Sequence, residues 1–149
     1  MTSYGIYLPT GTSALAGGSG TSSGQITHEF SVGGSRYFAD RTRFLTALAS
    51  YQLNMPQREI DITRGDILQI QGGAGTKFLR KSAEAGLASY AFWQVRDDRG
   101  ADLPSVLRGV RDRVFGLGPE GAIFLKAIRG QIRARYEWDA GVRARQRSR

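Results

Sequence analysis

Apolar and polar positions alternate one for one along parts of this chain and recur at three and four in others. Tyr4, Ile6 and Leu8 alternate with their neighbours, which predicts a short strand over 2–8 that Pro9 ends or holds at a sheet edge. Ile26, His28 and Phe30 do the same against Thr27 and Glu29, so 25–32 reads as a half-buried strand turning at Gly33-Gly34, with Arg36-Tyr37-Phe38 as the returning arm. Over 59–71, Ile60 and Ile62 precede an Arg64-Gly65-Asp66 turn, and Ile67, Leu68 and Ile70 follow it. That pattern suits two short strands or one bulged strand. The run 90–95 is rich in strand formers and stops at an Asp97-Asp98-Arg99-Gly100 turn.

Other stretches carry helical spacing. Asp40 can cap a helix over 41–54 that buries Phe44, Leu45, Leu48, Tyr51 and Leu53, with Asn54 and Pro56 as its stop. Val106, Leu107, Val110 and Val114 predict a second helix, opened by Leu103-Pro104 and running to Phe115. A third follows, with Gly118 as cap, Pro119 at the first position and Glu120 at the positive end of the dipole. Phe124, Ile128, Ile132 and Tyr136 recur there every fourth residue, and Lys126, Arg129 and Arg133 share another face. Gly130 inside that pattern costs about 1 kcal/mol against alanine. The expected fold class is therefore α+β: a mainly antiparallel β-sheet with one central helix and two C-terminal helices packed on it, and extended N- and C-terminal arms. Residues 1–24 form an N-terminal strand and Gly/Ser-rich arm, 25–141 a single domain, and 142–149 an arginine-rich tail. In the tail Arg143, Arg145, Arg147 and Arg149 occupy alternate positions, which an extended chain aims one way.

Composition changes this picture chiefly through charge. The chain has 149 residues and a formal net charge of +8, which points to a polyanionic partner. It has no cysteine and only His28, so disulfides, thiolate metal sites and cysteine nucleophiles are excluded and histidine-rich chemistry has no material. No run approaches the roughly 20 apolar residues of a membrane helix, and no basic stretch followed by an apolar core marks a signal peptide. These observations predict a soluble protein of a virion or the cytoplasm, without a membrane partner.

The candidate chemistry is thin. Gly72-Gly73-Ala74-Gly75-Thr76-Lys77 could cradle phosphate between a strand and a helix, but it lacks the spacing of a phosphate loop and reads better as a hairpin loop into a strand over 77–83. Glu59, Asp61 and Asp66 are the carboxylates a metal-dependent nuclease would need, with Lys77 downstream as the cation near the scissile phosphate; the alternating polar residues read better as the wet face of a half-buried strand. Tyr90 and Phe92 share one strand face and Trp93 takes the other, so at most one face can stack bases. His28 reads as a packed or hydrogen-bonded side chain. No catalytic residue, metal ligand or cofactor is assigned. In layout the chain is similar to small viral coat and connector proteins. The expectation is thus a non-enzymatic structural subunit of a large assembly, a phage or virus virion protein of coat, minor capsid or connector type. It would associate with copies of itself or other subunits and touch nucleic acid or acidic neighbours through Lys126, Arg129, Arg133, Arg143, Arg145, Arg147 and Arg149. The alternatives are a free nucleic-acid-binding protein and a metal-dependent nuclease.

Overall fold

Strand β1 (Thr2–Tyr7) starts a meander in which each strand pairs antiparallel with the next: β2 (Thr27–Phe38), β3 (Arg43–Asn54), β4 (Ile67–Phe78), β5 (Ala83–Gln94), β6 (Arg113–Leu125) and β7 (Gly130–Arg135). A last strand, β8 (Trp138–Arg143), lies on the same flank of β6 as β7. The structure is a computed structural model that describes residues 1–10, 24–57, 60–80, 82–105, 109 and 111–143. The sheet curls into a half-barrel.

This is not the α+β fold that the spacing predicts. The segment expected as a helix over 41–54 is a turn followed by β3, the end of 103–115 enters β6 while Val106, Leu107 and Val110 lie outside the described residues, and 119–136 comprises the second half of β6, one 3-10 turn (Lys126–Ile128) and β7. The physical reason is visible in β3. Leu45, Ala47, Ala49, Tyr51 and Leu53 form an unbroken period-two row on one face, and Phe44 and Leu48 sit on the other. Merging the two faces imitates spacings of three and four. Alanine and glycine, which weigh for or against helix by propensity, are here the small residues of a wall. Gly33-Gly34 is likewise not a turn but the interior of β2, and Gly72–Lys77 is not a loop but the interior of β4, while Leu79–Ser82 forms the turn where a strand over 77–83 was expected.

Pro119 lies in mid-strand and leaves a mark. Tyr136 N donates to Pro119 O at 3.1 Å, but proline has no N–H to return the second bond of an antiparallel pair, and the flanking strand breaks there between β7 and β8. The register of β7 carries on into β8, with Glu120 opposite Arg135 and Leu117 opposite Trp138. It slips only between Arg113 and Phe115, near Gly141, whose φ of 63° suits the extra residue of a bulge.

The two faces of the sheet differ in kind. One cross-strand row on the convex side reads Tyr4, Phe30, Tyr51, Leu68, Trp93; the next reads Val32, Ala49, Ile70, Ala91, Phe115. The rows Gly34, Ala47, Gly72, Ser89, Leu117, Trp138 and Leu45, Ala74, Leu87, Pro119 follow. The concave side carries Ser3, Ser31, Ser50 and Gln69 in one row, Ser35, Thr46, Gly73 and Ala88 in another. Among the described residues the buried hydrophobic side chains are only Ala83, Ala88, Leu103 and Ala122, whereas Phe30, Val32, Leu45, Leu87, Leu117, Ile123 and Trp138 are exposed and Asp66, Asn54, Gln94 and Asp98 are buried. The larger exposed hydrophobic side chains thus lie mostly on the convex face, and most of the buried side chains are polar or small.

The two ends differ as well. One end has short turns made possible by left-handed backbone at Ala39, Asp40 and Arg41, at Leu79 and Arg80, and at Arg129. The other end has the long connections 55–66 and 95–112. The Gly/Ser/Thr segment expected as an arm falls on 11–23, and the end of the expected tail on 144–149; both lie outside the described residues.

Candidate functional site

The concave face holds a trough of about 480 Å³. Its floor comes from glycines and alanines that the strands present inward: Gly73, Gly75, Gly86 and Ala88. Neighbouring side chains lie down on such positions. Phe44 reaches within 2.7 Å of where a Cβ on Gly75 would stand, Leu48 within 2.9 Å of the same point on Gly33, and the Tyr90 ring covers Gly116. Flattened against the wall in this way, the larger side chains leave the trough open.

One side of the trough is a charge ladder built by register. Lys77, Glu84, Ala122 and Arg133 stand in one cross-strand row on β4 to β7, and Gly75, Gly86, Glu120 and Arg135 in the next. Lys77 Nζ is 3.2 Å from Glu84, and because Ala122 is small, Arg133 reaches across it to within 3.6 Å of the same carboxylate. Arg133 also donates to Glu120 Oε1 at 2.6 Å, and Arg135 Nε donates to Glu120 Oε2 at 2.6 Å. Glu137 stands 3.8 Å from Arg135 and completes the balance of Lys77, Arg133 and Arg135 against Glu84, Glu120 and Glu137. Opposite, Tyr37 and Phe44 give the trough an aromatic side, with Lys77 Nζ 5.2 Å from the Tyr37 ring centre.

At the long-loop end the two connections are clasped. Thr63 and Arg99 exchange backbone hydrogen bonds of 2.7 and 2.9 Å, Asp102 accepts from Asp61 N at 2.7 Å, and Asp61 accepts from Ala101 N at 2.9 Å. Asp66 is 2% exposed: Tyr51 Oη donates to it at 2.8 Å and Arg96 pairs with it at 3.1 Å. Gly65 is required because a Cβ there would collide with the Arg96 carbonyl, and its N–H donates to Asp98 at 2.8 Å. The Arg64-Gly65-Asp66 triplet is therefore built into the clasp. Further out, the hydrogen bond from Arg111 holds the Asp97 carboxyl below its usual pKa.

The residues singled out in the sequence scatter over this frame. Of the basic set, Arg133 joins the ladder, Lys126 opens the 3-10 turn, Arg129 sits in the following turn and Arg143 ends β8; Arg145, Arg147 and Arg149 lie outside the described residues. The nuclease set is not assembled: Asp66 precedes β4 and Lys77 lies next to its last residue, about 35 Å apart at 3.3 Å per residue, while Glu59 falls outside the described residues. Among the described residues no group of three or more His, Asp or Glu side chains could hold a metal ion. Tyr90 and Phe92 face inward and Trp93 outward, and the Tyr90 hydroxyl donates to Asp139. His28 accepts or donates through Nδ1 to Tyr4 Oη at 2.7 Å on the convex face. Glu84, Glu120, Arg135 and the glycine floor carry no local motif; only cross-strand register assembles them.

Compared with known protein families, residues 1–149 match the family described as "Putative MetA-pathway of phenol degradation". The chain belongs to this family. No curated protein matches it, and no solved structure does. The family match spans both the convex apolar face and the concave ladder, so membership covers the whole of the sheet described above.

Proposed function

We propose that the chain forms wall of a membrane-spanning β-barrel, with its convex face against lipid and its concave face lining an aqueous passage for small solutes. One observation carries this: from β2 to β6 the outward rows are predominantly apolar and exposed, while the inward rows hold most of the polar and charged side chains, with Phe44, Leu48, Tyr90 and Phe92 as inward apolar or aromatic exceptions. In water such an inverted distribution has no driving force, because it exposes what burial would reward; in a bilayer it is the required one. Strand length agrees. Twelve residues at about 3.3 Å each span about 40 Å, or about 30 Å of depth at a tilt near 40°, the thickness of a hydrocarbon core.

Two further features support the reading. Tyr4, Phe30, Tyr51 and Trp93 form an aromatic row on the convex face near the long loops, where a membrane interface would lie. Short turns at one end and long loops at the other match the asymmetry of such barrels. No helix among the described residues is long and apolar enough to cross a membrane, which does not bear on strands. The expectation of a role without a membrane partner counted uninterrupted apolar runs, and alternation hides a spanning strand from that count.

The family's description names phenol degradation, which supports small aromatic compounds as the solutes we assign to the passage. The trough suits a ring with a polar substituent, having Tyr37 and Phe44 on one side and the ladder on the other. The test is fluorescence of Trp93 and Trp138 in vesicles whose acyl chains carry bromine. Both indoles lie on the convex face, so both should be quenched by brominated lipid and shielded from aqueous iodide; quenching by iodide alone would overturn the proposal.

A further inference from the structure

The short-turn end of the convex face carries a cluster of arginines that the passage does not use. Arg36 on β2 and Arg43 on β3 both point outward, by the same alternation that places Val32 and Leu45 there. Arg36 is opposite Leu45 and Arg43 opposite Phe38, so the two arginines are diagonal neighbours, with Cβ atoms about 7–8 Å apart. Arg41 follows Asp40 in the β2–β3 turn and Arg80 lies in the β4–β5 turn beside it, all three exposed, so the cluster holds four arginines against one carboxylate. Arg36 stands one row inside the edge of the apolar band, where a lipid-facing charge is costly unless its head reaches the interface. Its guanidinium lies over the Phe38 ring, 5.2 Å from the centroid, and Phe38 is the next outward residue toward the turn. The side chain thus leans from the band toward the turn, as a snorkelling arginine does. At the opposite end acids and bases are mixed: Asp61, Asp66, Asp97, Asp98, Asp102 and Asp112 stand among Arg64, Arg96, Arg99, Arg111, Arg113 and Arg143.

We propose that Arg36 and Arg43, flanking Phe38, bind the phosphate of an anionic phospholipid in the leaflet at the short-turn end, with Arg41 and Arg80 adding attraction. The inference rests on the membrane reading above. Two guanidinium groups at that spacing can share one phosphate, and Phe38 and Leu45 contact the start of its acyl chains. A nucleic-acid phosphate would find the same arginines but has no use for the apolar rim around them.

The experiment is reversible folding of the full protein into phosphatidylcholine vesicles with and without 30% phosphatidylglycerol, read by tryptophan fluorescence. At low salt the anionic lipid should favour the folded state about thirtyfold, roughly fivefold for each of the two arginines, and 0.5 M salt should erase most of that gain. Arg36→Gln with Arg43→Gln should remove most of the gain, leaving only the small share due to Arg41 and Arg80, the paired Arg→Lys variant should keep most of it, and Arg64→Gln at the far end should leave it intact. Folding into both lipids with no gain, or a gain that the double Gln variant leaves undiminished, overturns this inference and leaves the membrane reading standing. Failure to insert in either lipid overturns the membrane reading itself. Duplex DNA bound by the vesicle-inserted protein and released by the double Gln variant would overturn the lipid assignment.

Discussion

Ala47 and Leu48 are adjacent on β3 and project to opposite faces, which makes them a sensitive pair for deciding what surrounds the sheet. Ala47 lies outward between Gly34 and Gly72, so an arginine there meets no steric obstacle. It is four residues along the strand from Arg43, about 13 Å at 3.3 Å per residue and about 10 Å in depth after tilt. At that depth Ala47→Arg should cost about 2–3 kcal/mol, a factor of roughly 30 to 150 in the folding equilibrium. Leu48 lines the trough and is 39% exposed. Leu48→Arg should cost about 1 kcal/mol at most, since it forfeits a contact with Gly33 but keeps the charge in water. Hydropathy alone ranks the pair the other way, because it penalises loss of leucine and ignores a change at exposed alanine. The assay is urea-dependent unfolding from phosphatidylcholine vesicles, followed by tryptophan fluorescence. An Ala47→Arg variant within about 0.5 kcal/mol of wild type, or a Leu48→Arg variant that is the more damaged of the two, refutes the assignment of faces.

Three further outcomes follow from the geometry. Gly116→Ala should cost about 1–3 kcal/mol, measured in the same unfolding assay, because the added methyl displaces the Tyr90 ring and with it the hydrogen bond to Asp139; the shift should be absent in a Tyr90→Ala background. Glu120→Gln removes one of the ladder's carboxylates and leaves Lys77, Arg133 and Arg135 in excess, so bilayer conductance should move toward anion selectivity, and an unchanged reversal potential would show that the ladder does not face the passage. The Asp97–Arg111 pair gives a pH dependence of known sign: the folded Asp97 pKa is lowered, so its contribution is complete above the unfolded value of about 3.9 and lost as pH falls through the lower folded value. Proteolytic nicking in 95–112 should rise below that range, and Asp97→Asn should show the acid level of nicking already at neutral pH.

How much of this was legible beforehand differs by segment. The strand at Tyr4 and Ile6, the strand over 27–32 and the outward Trp93 opposed to Tyr90 and Phe92 could all be read from alternation. β3 and the second half of β6 could not, because each carries apolar residues on both faces near its ends, and a one-dimensional pattern cannot assign faces before the sheet exists. Phe124, Ile128, Ile132 and Tyr136 share a spacing of four but belong to a strand, a turn, another strand and the break after it. Pro119 as a helix opener was the natural local reading; its actual place, where the flanking strand breaks, depends on a partner seventeen residues downstream. The ladder was illegible for the same reason. Lys77 and Glu84 are close in the chain, but Glu120 and Arg133 join them only because register aligns four strands.

The period-two strands near the start, the exclusion of cysteine chemistry and the surplus of basic residues follow from local sterics and composition alone. Which side of each strand is the outside follows from the curl of the assembled sheet. That choice reverses the meaning of many apolar residues: Leu45, Leu87 and Leu117, natural candidates for a core, lie on the convex surface, and the interior is shared by glycine, serine, paired charges and a few flattened aromatic and aliphatic side chains such as Phe44, Leu48 and Tyr90. The physical reason is that hydrophobicity specifies a face to be kept from water, and the curl of the sheet determines whether protein or lipid keeps it so.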